Sequence, residues 1–297
     1  MYNINKVEME DPRKKYKSEP FKQQQQDVPG EEKKMDPTPD HGEESYKGCD
    51  KLKGRKAIIT GGDSGIGKAI AIAFAREGAD VLISYLNEHE DAKDTAKYVE
   101  EAGRKVVLMP GDIQEETYCK ALVDKAIKEL GGLDIVVNNA AFQMHRESLQ
   151  DISSEEWDRT FKTNIYPLFH ICKAAEPHLK PGSTVINTTS VNAYNPRPTL
   201  APYTATKGAI QNFTASVGQM WAKKGIRMNC VAPGPIWTPL IPSTFPPEEI
   251  NSFGQDKPLG RAGQPAEMAP IYVFLASEDS SYMVGATVQA TGGSPTI

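Results

Sequence analysis

The chain has 297 residues and a formal net charge of −5, with acidic and basic side chains mixed along its length. This balance excludes the strongly basic surface of a nucleic-acid-binding protein, and no apolar run approaches the length of a membrane span. The first residues lack the apolar core of a signal peptide, so the cytoplasm is the expected location.

The first fifty residues, called the N-terminal extension below, differ from the rest of the chain. They contain five prolines, a run of four glutamines and almost no aliphatic periodicity. Such a segment cannot bury enough surface to fold alone. Two interpretations stay open: residues 1–50 are a disordered tail, or they are an extended arm on their own domain or on a neighbouring subunit. In the second case Tyr16, Phe21, Met35 and Tyr46 are the expected anchors, and the prolines lower the entropy lost on docking.

A glycine-rich turn follows the first predicted strand. Residues 55–60 are β-branched at their centre and predict a short buried strand, while apolar residues at helical spacing from Ile66 predict a helix that stops at Gly78. A strand, a glycine turn and a helix in this order direct backbone N–H groups and the positive end of the helix dipole at an anion. Residues 61–67, called the glycine turn below, are therefore predicted to hold a pyrophosphate.

The glycines of this turn have different expected tasks. Gly61 makes the tight bend, Gly65 lets the backbone approach the pyrophosphate, and Gly67 lets the helix and the strand pack closely. The predicted cofactor residues of the turn are Gly61, Asp63, Ser64, Gly65, Ile66 and Gly67.

The choice between NAD and NADP depends on the residues that meet the ribose 2′ group, after the second predicted strand at residues 80–84. Tyr85 and Leu86 follow that strand, with no basic residue for a 2′-phosphate, and Glu88 comes soon after. Asp63 in the glycine turn would repel a phosphate, although an aspartate there can also simply cap the helix. NAD is therefore the favoured cofactor, with NADP as the alternative.

A serine, a tyrosine and a lysine form the second motif. Ser190 follows the predicted strand 184–188, where its hydroxyl can hold a substrate oxygen. Tyr203 and Lys207 are four residues apart on a predicted helix, residues 201–224, and so share one face. A free phenol has a pKa of about 10, but a neighbouring ammonium lowers that value, so Tyr203 can exchange a proton with an alcohol. Alone, the pair is an ordinary surface feature; after a glycine turn and a serine it indicates catalysis.

Together these motifs make residues 52–293 resemble the short-chain dehydrogenase/reductase family, in its single-domain branch. The chain is also similar to a bacterial subgroup, the general-stress oxidoreductases, which has an N-terminal extension. Two positions depart from the family pattern, since Ala141 and Thr291 stand where glycine and aspartate are common. Further motifs that match the family are Gly111-Asp112-Ile113, Asn138-Asn139-Ala140 after the predicted strand 133–137, Asn164 between Thr163 and Ile165, Pro233-Gly234, and Thr238.

The resemblance implies a fold and a tetrad of catalytic residues. The expected fold is a single α/β domain over residues 51–297, with a Rossmann-type, doubly wound sheet of about seven mostly parallel strands. Ser190 orients the carbonyl, Tyr203 acts as general acid or base, and Lys207 lowers the tyrosine pKa and holds the ribose. Asn164 anchors a relay water. The cofactor contacts implied outside the glycine turn are Tyr85, Leu86, Asp112, Ile113, Asn139, Ala140, Ala141, Tyr203, Lys207, Pro233, Gly234, Ile236 and Thr238.

Residues 233–270 are expected to cover the substrate as a lid. Their apolar side chains indicate either a partly apolar ligand or the packing of the lid on the domain. His145, just after the turn at 138–141, lies near the expected substrate position or is a solvated loop histidine. The cysteines, Cys49, Cys119, Cys172 and Cys230, fit no metal-binding spacing, and no metal site is predicted.

The favoured function is hydride transfer between NAD(P) and a small-molecule alcohol or carbonyl substrate. A non-catalytic dinucleotide sensor is the alternative, but sensors on this fold typically lose the tyrosine or the lysine. An enoyl reductase is less favoured, because those enzymes tend to space the tyrosine and lysine more widely. No nucleic-acid or membrane partner is expected. A homotetramer is expected, formed through predicted helices 154–179 and 201–224 and a final strand at 284–290.

Overall fold

The computed structural model describes residues 9–16, 18 and 20–295. Within them, seven strands form one sheet in which all neighbouring strands are parallel, in the order β3-β2-β1-β4-β5-β6-β7. The predicted doubly wound α/β fold is therefore confirmed. The strands are β1 (Lys56–Thr60), β2 (Asp80–Tyr85), β3 (Val106–Pro110), β4 (Ile135–Asn138), β5 (Thr184–Thr188), β6 (Arg227–Pro233) and β7 (Thr287–Ala290).

Helices cover both faces of the sheet. The α-helices are α1 (Gly65–Arg76), α2 (His89–Glu101), α3 (Glu116–Leu130), α4 (Ser154–Asn164), α5 (Tyr166–Ala175), α6 (Ala201–Ala222), α7 (Leu240–Thr244), α8 (Pro247–Ile250) and α9 (Pro265–Ala276). Alternate residues of one strand enter different cores, because successive side chains point to opposite faces. Ile59 packs with α1 and α9, whereas Ile58 packs with α3 and α5.

The strand order reverses between β1 and β4, and this switch point places the site. The strands that follow β1 extend the sheet in one direction, and those that follow β4 extend it in the other. In open sheets of this kind, ligands bind in the crevice outside the carboxyl ends of the strands at the switch point. The glycine turn lies there because it begins directly after β1.

One helix expectation was wrong. Residues 154–179 do not form a single helix, because α4 ends at Asn164 and α5 begins at Tyr166, with Ile165 between them. Pro167 explains the break, since it has no N–H to continue the α4 hydrogen-bond ladder but fits the first turn of a new helix. The final strand begins at Thr287 rather than near residue 284.

The described part of the N-terminal extension lies along its own domain. Phe21 stacks on Trp237 with ring centroids 3.9 Å apart, and the Tyr46 hydroxyl donates to Glu77 at 2.6 Å. Met35 is buried with the lid residues, and the Trp237 indole N–H donates to the Pro37 carbonyl at 2.8 Å. The extension thus contacts both the lid and the half of the domain that carries the glycine turn, called the nucleotide half below.

Over residues 9–16, 18 and 20–295, none of the helices combines the length and apolar character needed to span a bilayer.

Candidate active site

A cavity of about 770 Å³ opens at the carboxyl ends of the strands. Its wall includes residues at the ends of β1, β2, β4, β5 and β6 together with the lid. Every residue predicted to bind the cofactor lines it except Gly67, and of the predicted catalytic residues Ser190, Tyr203 and Lys207 line it while Asn164 does not. The two sequence motifs therefore meet in one cavity.

The glycine turn has the shape that a pyrophosphate cradle requires. Gly61 and Gly65 adopt φ values of +61° and +51°, which favour glycine. A Cβ on Gly65 would approach the Thr238 side chain to 3.0 Å, and one on Gly67 would lie 1.8 Å from the Gly61 carbonyl oxygen. Gly67 thus serves close packing, and Gly65 places no side chain on the cavity wall. These features fit a bound dinucleotide.

Asn139 ties the end of β4 to the glycine turn. Its side-chain amide donates to the Gly61 carbonyl at 3.2 Å, and its backbone N–H donates to the Thr60 hydroxyl at 3.0 Å. The backbone N–H of Ala140 donates to the same hydroxyl at 3.1 Å. The two strands at the switch point are therefore held together next to the cavity.

Tyr203 and Lys207 project from the first turns of α6 and are both buried. The Lys207 ammonium donates to the Thr188 carbonyl at 2.8 Å and lies 5.1 Å from the centroid of the Tyr203 ring. Ser190, two residues after β5, accepts from the Asn192 backbone N–H at 3.1 Å, and its hydroxyl acts to lower the pKa of Tyr203. The three side chains are thus fixed by neighbouring elements before any ligand arrives.

Burial has the largest effect on the pKa values of Tyr203 and Lys207. It raises the pKa of Tyr203 to about 12, against the opposing effect of the Ser190 hydrogen bond, and it lowers the pKa of Lys207 to about 7. The pKa of Tyr203 is therefore raised by burial, and not lowered by Lys207 as expected. An additional positive charge in the cavity would favour the phenolate.

Asn164 lies beside the cavity and its side chain is fully engaged. Its amide oxygen accepts from the Phe142 backbone N–H at 2.7 Å, and its NH₂ donates to the Phe142 carbonyl at 2.9 Å and to the Thr206 hydroxyl at 3.0 Å. The Asn164 backbone carbonyl, at the break between α4 and α5, is a further acceptor that a water could use.

A second, small cavity of about 10 Å³ lies next to Asn164, which is room for about one water molecule. Asn138, Thr188 and Asn164 are among its lining residues. Within the described part of the chain, the buried Asn138 Oδ1 has no hydrogen-bond partner. A water in this cavity would satisfy that oxygen and would lie next to the residue whose carbonyl accepts from Lys207.

Two carboxyl groups lie on the wall at the expected ribose 2′ position. Asp63, Glu88 and Tyr85 all line the cavity, and a 3.0 Å hydrogen bond joins the Tyr85 hydroxyl and His89 Nδ1. Burial, together with the charge of Glu88, raises the pKa of Asp63 to about 7. Asp63 does not cap α1, because Ser64 occupies the N-cap position. Asp112 accepts from the backbone N–H of Gln114 at 2.9 Å.

The lid divides into residues that pack and residues that face the cavity. Trp237 is fully buried away from it, whereas Ile236, Ile241 and Phe245 are part of its lining. The apolar lid residues therefore divide between those that pack on the domain and those that line the cavity. The His145 side chain is buried, with Nε2 3.0 Å from Glu249 Oε1, so it is neither solvated nor part of the cavity wall.

Sequence reasoning missed several residues of the wall. The polar residues among them belong to no recognisable motif. Even Asn192, only two positions after Ser190, was not identified. Residues of the N-terminal extension also reach the cavity, and no local pattern predicts that contact. The missed lining residues include Val28, Pro29, Gly30, Gln143, Arg159, Asn192 and Arg197.

Comparisons with known proteins agree with this geometry. A family model described as enoyl-(acyl carrier protein) reductase matches residues 61–294. General stress protein 39 of Bacillus subtilis is 57% identical over 271 residues, which cover 91% of this chain and 95% of that protein. Glucose and ribitol dehydrogenase of Daucus carota is 45% identical, over 91% of this chain and 95% of its own length.

A solved structure extends the comparison to the fold. A short chain dehydrogenase from Burkholderia cenocepacia, solved in complex with NADP, superposes with a TM-score of 0.77 at 28% identity. The match covers 82% of this chain and 98% of that one. With this fold, these motifs and these relatives, the chain belongs to the short-chain dehydrogenase/reductase family, whose members are oxidoreductases.

Proposed function

We propose that the protein transfers hydride between a nicotinamide cofactor and an alcohol or carbonyl group, at a site built on Ser190, Tyr203 and Lys207. One observation carries this proposal: these three side chains open into the same cavity as the glycine turn. A proton donor and a dinucleotide cradle in one cavity are what such a reaction needs.

The protein's part in the reaction is to position groups and to move a proton. The bound nicotinamide supplies or accepts the hydride. Ser190 donates a hydrogen bond to the substrate oxygen, and Tyr203 gives that oxygen its proton in reduction or takes it in oxidation. Because burial favours the neutral phenol, Tyr203 is ready as an acid, and oxidation requires the added positive charge of an oxidised nicotinamide.

Proton supply to Tyr203 is proposed to run through Lys207 and a water in the small cavity. Burial brings the pKa of Lys207 to about 7, so its ammonium can lose and regain a proton near neutral pH. The small cavity has room for one water next to Thr188 and Asn164. Asn164 is then a positioning residue, since its side chain fixes the backbone around the water.

NAD is proposed as the preferred cofactor. Asp63 and Glu88 on the cavity wall can accept hydrogen bonds from a ribose 2′-hydroxyl, whereas they would repel a 2′-phosphate. The basic residues among the described lining are Arg159, Arg197, Lys207 and Lys257. None of these belongs to the glycine turn or to the segment after β2, where a 2′-phosphate would need them.

A small polyhydroxy compound is the proposed substrate class. Gln143, Asn192 and Arg197 place amide and guanidinium groups on the same wall as Ser190, and Phe245 contributes an apolar surface. The Daucus carota relative is named for glucose and ribitol, which are compounds of this class. An enoyl thioester is the competing substrate, but Tyr203 and Lys207 are only four residues apart.

A substrate panel tests these proposals. Glucose, ribitol, simple secondary alcohols, ketones, aldehydes and an enoyl thioester are each offered with NAD or NADP in the matching redox state, and the absorbance of the reduced nicotinamide is followed. Turnover of a polyol with NAD is the expected result. Cofactor binding without turnover of any compound would instead favour the non-catalytic sensor.

Assembly as a homotetramer is also proposed. Trp157 on α4 and Tyr166 and Phe169 on α5 are 44%, 44% and 48% exposed, and Met220 on α6 is 67% exposed. Large apolar side chains grouped on adjacent helices are typical of an interface. Light scattering at micromolar concentration is expected to give four times the mass of one chain, and a monomer would contradict this arrangement.

A further inference from the structure

Residues 26–32 of the N-terminal extension, called the strap below, connect the lid to α2 and contribute to the cavity wall. On the lid side, the Gln26 backbone N–H donates to the Pro242 carbonyl at 2.9 Å. Gly30 packs so closely on the lid that a Cβ there would lie 2.4 Å from the Pro239 carbonyl oxygen. The lid end of the strap is therefore held by a backbone hydrogen bond and by close packing.

The other end of the strap is tied to the nucleotide half of the domain. The Glu32 backbone N–H donates to the Asp91 carboxylate in the first turn of α2, at 2.8 Å. The Glu32 carboxylate accepts from the Gly65 backbone N–H, in the glycine turn, at 3.2 Å. Between these two ends, Val28, Pro29 and Gly30 line the cavity.

A buried charge cluster fixes Glu32 in place. Its carboxylate lies 2.6 Å from the Lys68 ammonium and 2.8 Å from His41 Nε2, and all three side chains are buried. Burial acts to raise the pKa of Glu32, but the hydrogen bonds and charges of His41 and Lys68 outweigh it and hold the pKa below its usual range. Removing one partner from a buried ionic contact leaves the other uncompensated, so this end of the strap resists lifting.

We propose that the strap is part of the cofactor site and closes the cleft over a dinucleotide seated on the glycine turn. This inference rests on the proposed function, because it requires a dinucleotide in the cavity. Residues 28–30 then form the outer wall of the cofactor site, and the strap must lift before the cofactor can enter or leave. As this outer wall, residues 28–30 contact the dinucleotide and strengthen its binding, so by thermodynamic reciprocity the bound dinucleotide favours the closed strap.

Limited trypsin digestion of the full chain tests this reciprocity without any turnover. Lys33 and Lys34 are exposed and directly follow the strap, so cleavage there requires local unfolding of the segment. Saturating NAD is expected to slow cleavage at this point at least fivefold, as followed by mass spectrometry of the released peptide. Cleavage after Lys223, outside the cavity wall, is expected to change less than twofold.

The parallel measurement is NADH binding, followed by fluorescence. If NADH binds and the cleavage at Lys33 and Lys34 keeps its rate, the strap proposal is wrong while the proposed function stands. If neither NADH nor NADPH binds, the proposed function fails and the strap proposal fails with it.

Substitutions at the two ends of the strap test its effect on the rate of cofactor dissociation. Asp91→Ala removes the acceptor on α2 without changing the cavity lining, and it is expected to speed NADH dissociation about tenfold in stopped-flow displacement. Glu90→Ala is the matched control, because Glu90 lies in the same turn of α2 and pairs only with Lys93 among the described residues. The control is expected to stay within twofold of the parent.

A second anchor variant guards against a folding defect. Gln26→Pro removes the N–H that bonds to Pro242, at the opposite end of the strap, together with the side-chain oxygen that accepts from the Glu31 backbone N–H at 2.7 Å. It is also expected to speed NADH dissociation, with a cofactor-free melting temperature near that of the parent. Unchanged dissociation in both variants, together with faster trypsin cleavage at Lys33 and Lys34, would refute the strap as a barrier to exchange.

Discussion

Replacing Tyr203 by phenylalanine separates the chemistry of this residue from its packing. The ring belongs to a buried cluster with Leu200, Trp237 and Ile241, and phenylalanine keeps those contacts. The substitution removes only the hydroxyl that is proposed to carry the proton. General acid–base catalysis typically contributes about 10²–10⁴-fold, so kcat is expected to fall by that factor, equivalent to roughly 2.7–5.4 kcal/mol of activation free energy.

The structure also predicts that Tyr203→Phe folds. Ser190 keeps its hydrogen bond from the Asn192 backbone N–H, so the substitution costs at most one hydrogen bond of the Tyr203 hydroxyl, about 1 kcal/mol of unfolding free energy. For a domain of this size that corresponds to a drop in Tm of about 2–4 °C. The assays are the absorbance of reduced nicotinamide for kcat, calorimetry for the NAD dissociation constant, and thermal melting for stability.

The matched control is Tyr194→Phe. Its hydroxyl accepts from Gln211 Nε2 at 2.7 Å, and Tyr194 does not line the cavity. This variant also loses one tyrosine hydrogen bond, yet its turnover is expected to stay within twofold of the parent. If Tyr203→Phe retained turnover within tenfold of the parent, while binding NAD normally, the assignment of Tyr203 as the acid–base group would be refuted.

Three further substitutions test the residues that are proposed to bind the cofactor. Lys207→Ala is expected to lower kcat and weaken NAD binding together, because one ammonium is proposed to serve both; an unchanged NAD dissociation constant in calorimetry contradicts the dual role. Gly65→Val is expected to abolish NAD binding while circular dichroism stays that of the parent, since a β-branched side chain strains the positive φ and meets Thr238; normal NAD binding would show that the glycine turn is not the cradle. Because burial and Glu88 raise the pKa of Asp63 to about 7, this carboxyl is neutral below that pH and ionised above it. The ratio of the NADP to the NAD dissociation constant is therefore expected to rise between pH 6 and pH 8 in the parent protein, and to change less with pH in Asp63→Asn. A ratio that stays constant with pH in the parent would contradict this role of Asp63.

The parts of the fold that sequence predicted are those with local causes. The β1–glycine turn–α1 unit follows from a β-branched run, glycines and helical spacing, all within about twenty residues. The break at Ile165 also has a local cause in Pro167, but a proline fits a helix's first turn as well as it ends one, so the pattern permitted a continuous helix.

The parts that sequence did not predict depend on distant residues or on burial. Met35 and Phe21 pack against lid residues about two hundred positions away, and no periodicity in the extension indicates that. The proximity of Lys207 was expected to lower the pKa of Tyr203. In the protein alone, the burial of both side chains instead determines their pKa values. Helical spacing predicts neighbours, but it does not predict how much water surrounds them.

The contacts of the N-terminal extension also determine the order of events during synthesis. The Pro12 carbonyl bonds to Arg261 across 249 residues, Asp40 to Gln264 across 224, and Pro37 to Trp237 across 200. At a translation rate of about 5–20 residues per second, these partners leave the ribosome roughly 10–50 s after the extension does. Phe21 therefore stays in water while β1 to β6 are made, because its partner Trp237 follows β6 in the chain. A proline-rich, polar composition suits a segment that must wait in solution without aggregating.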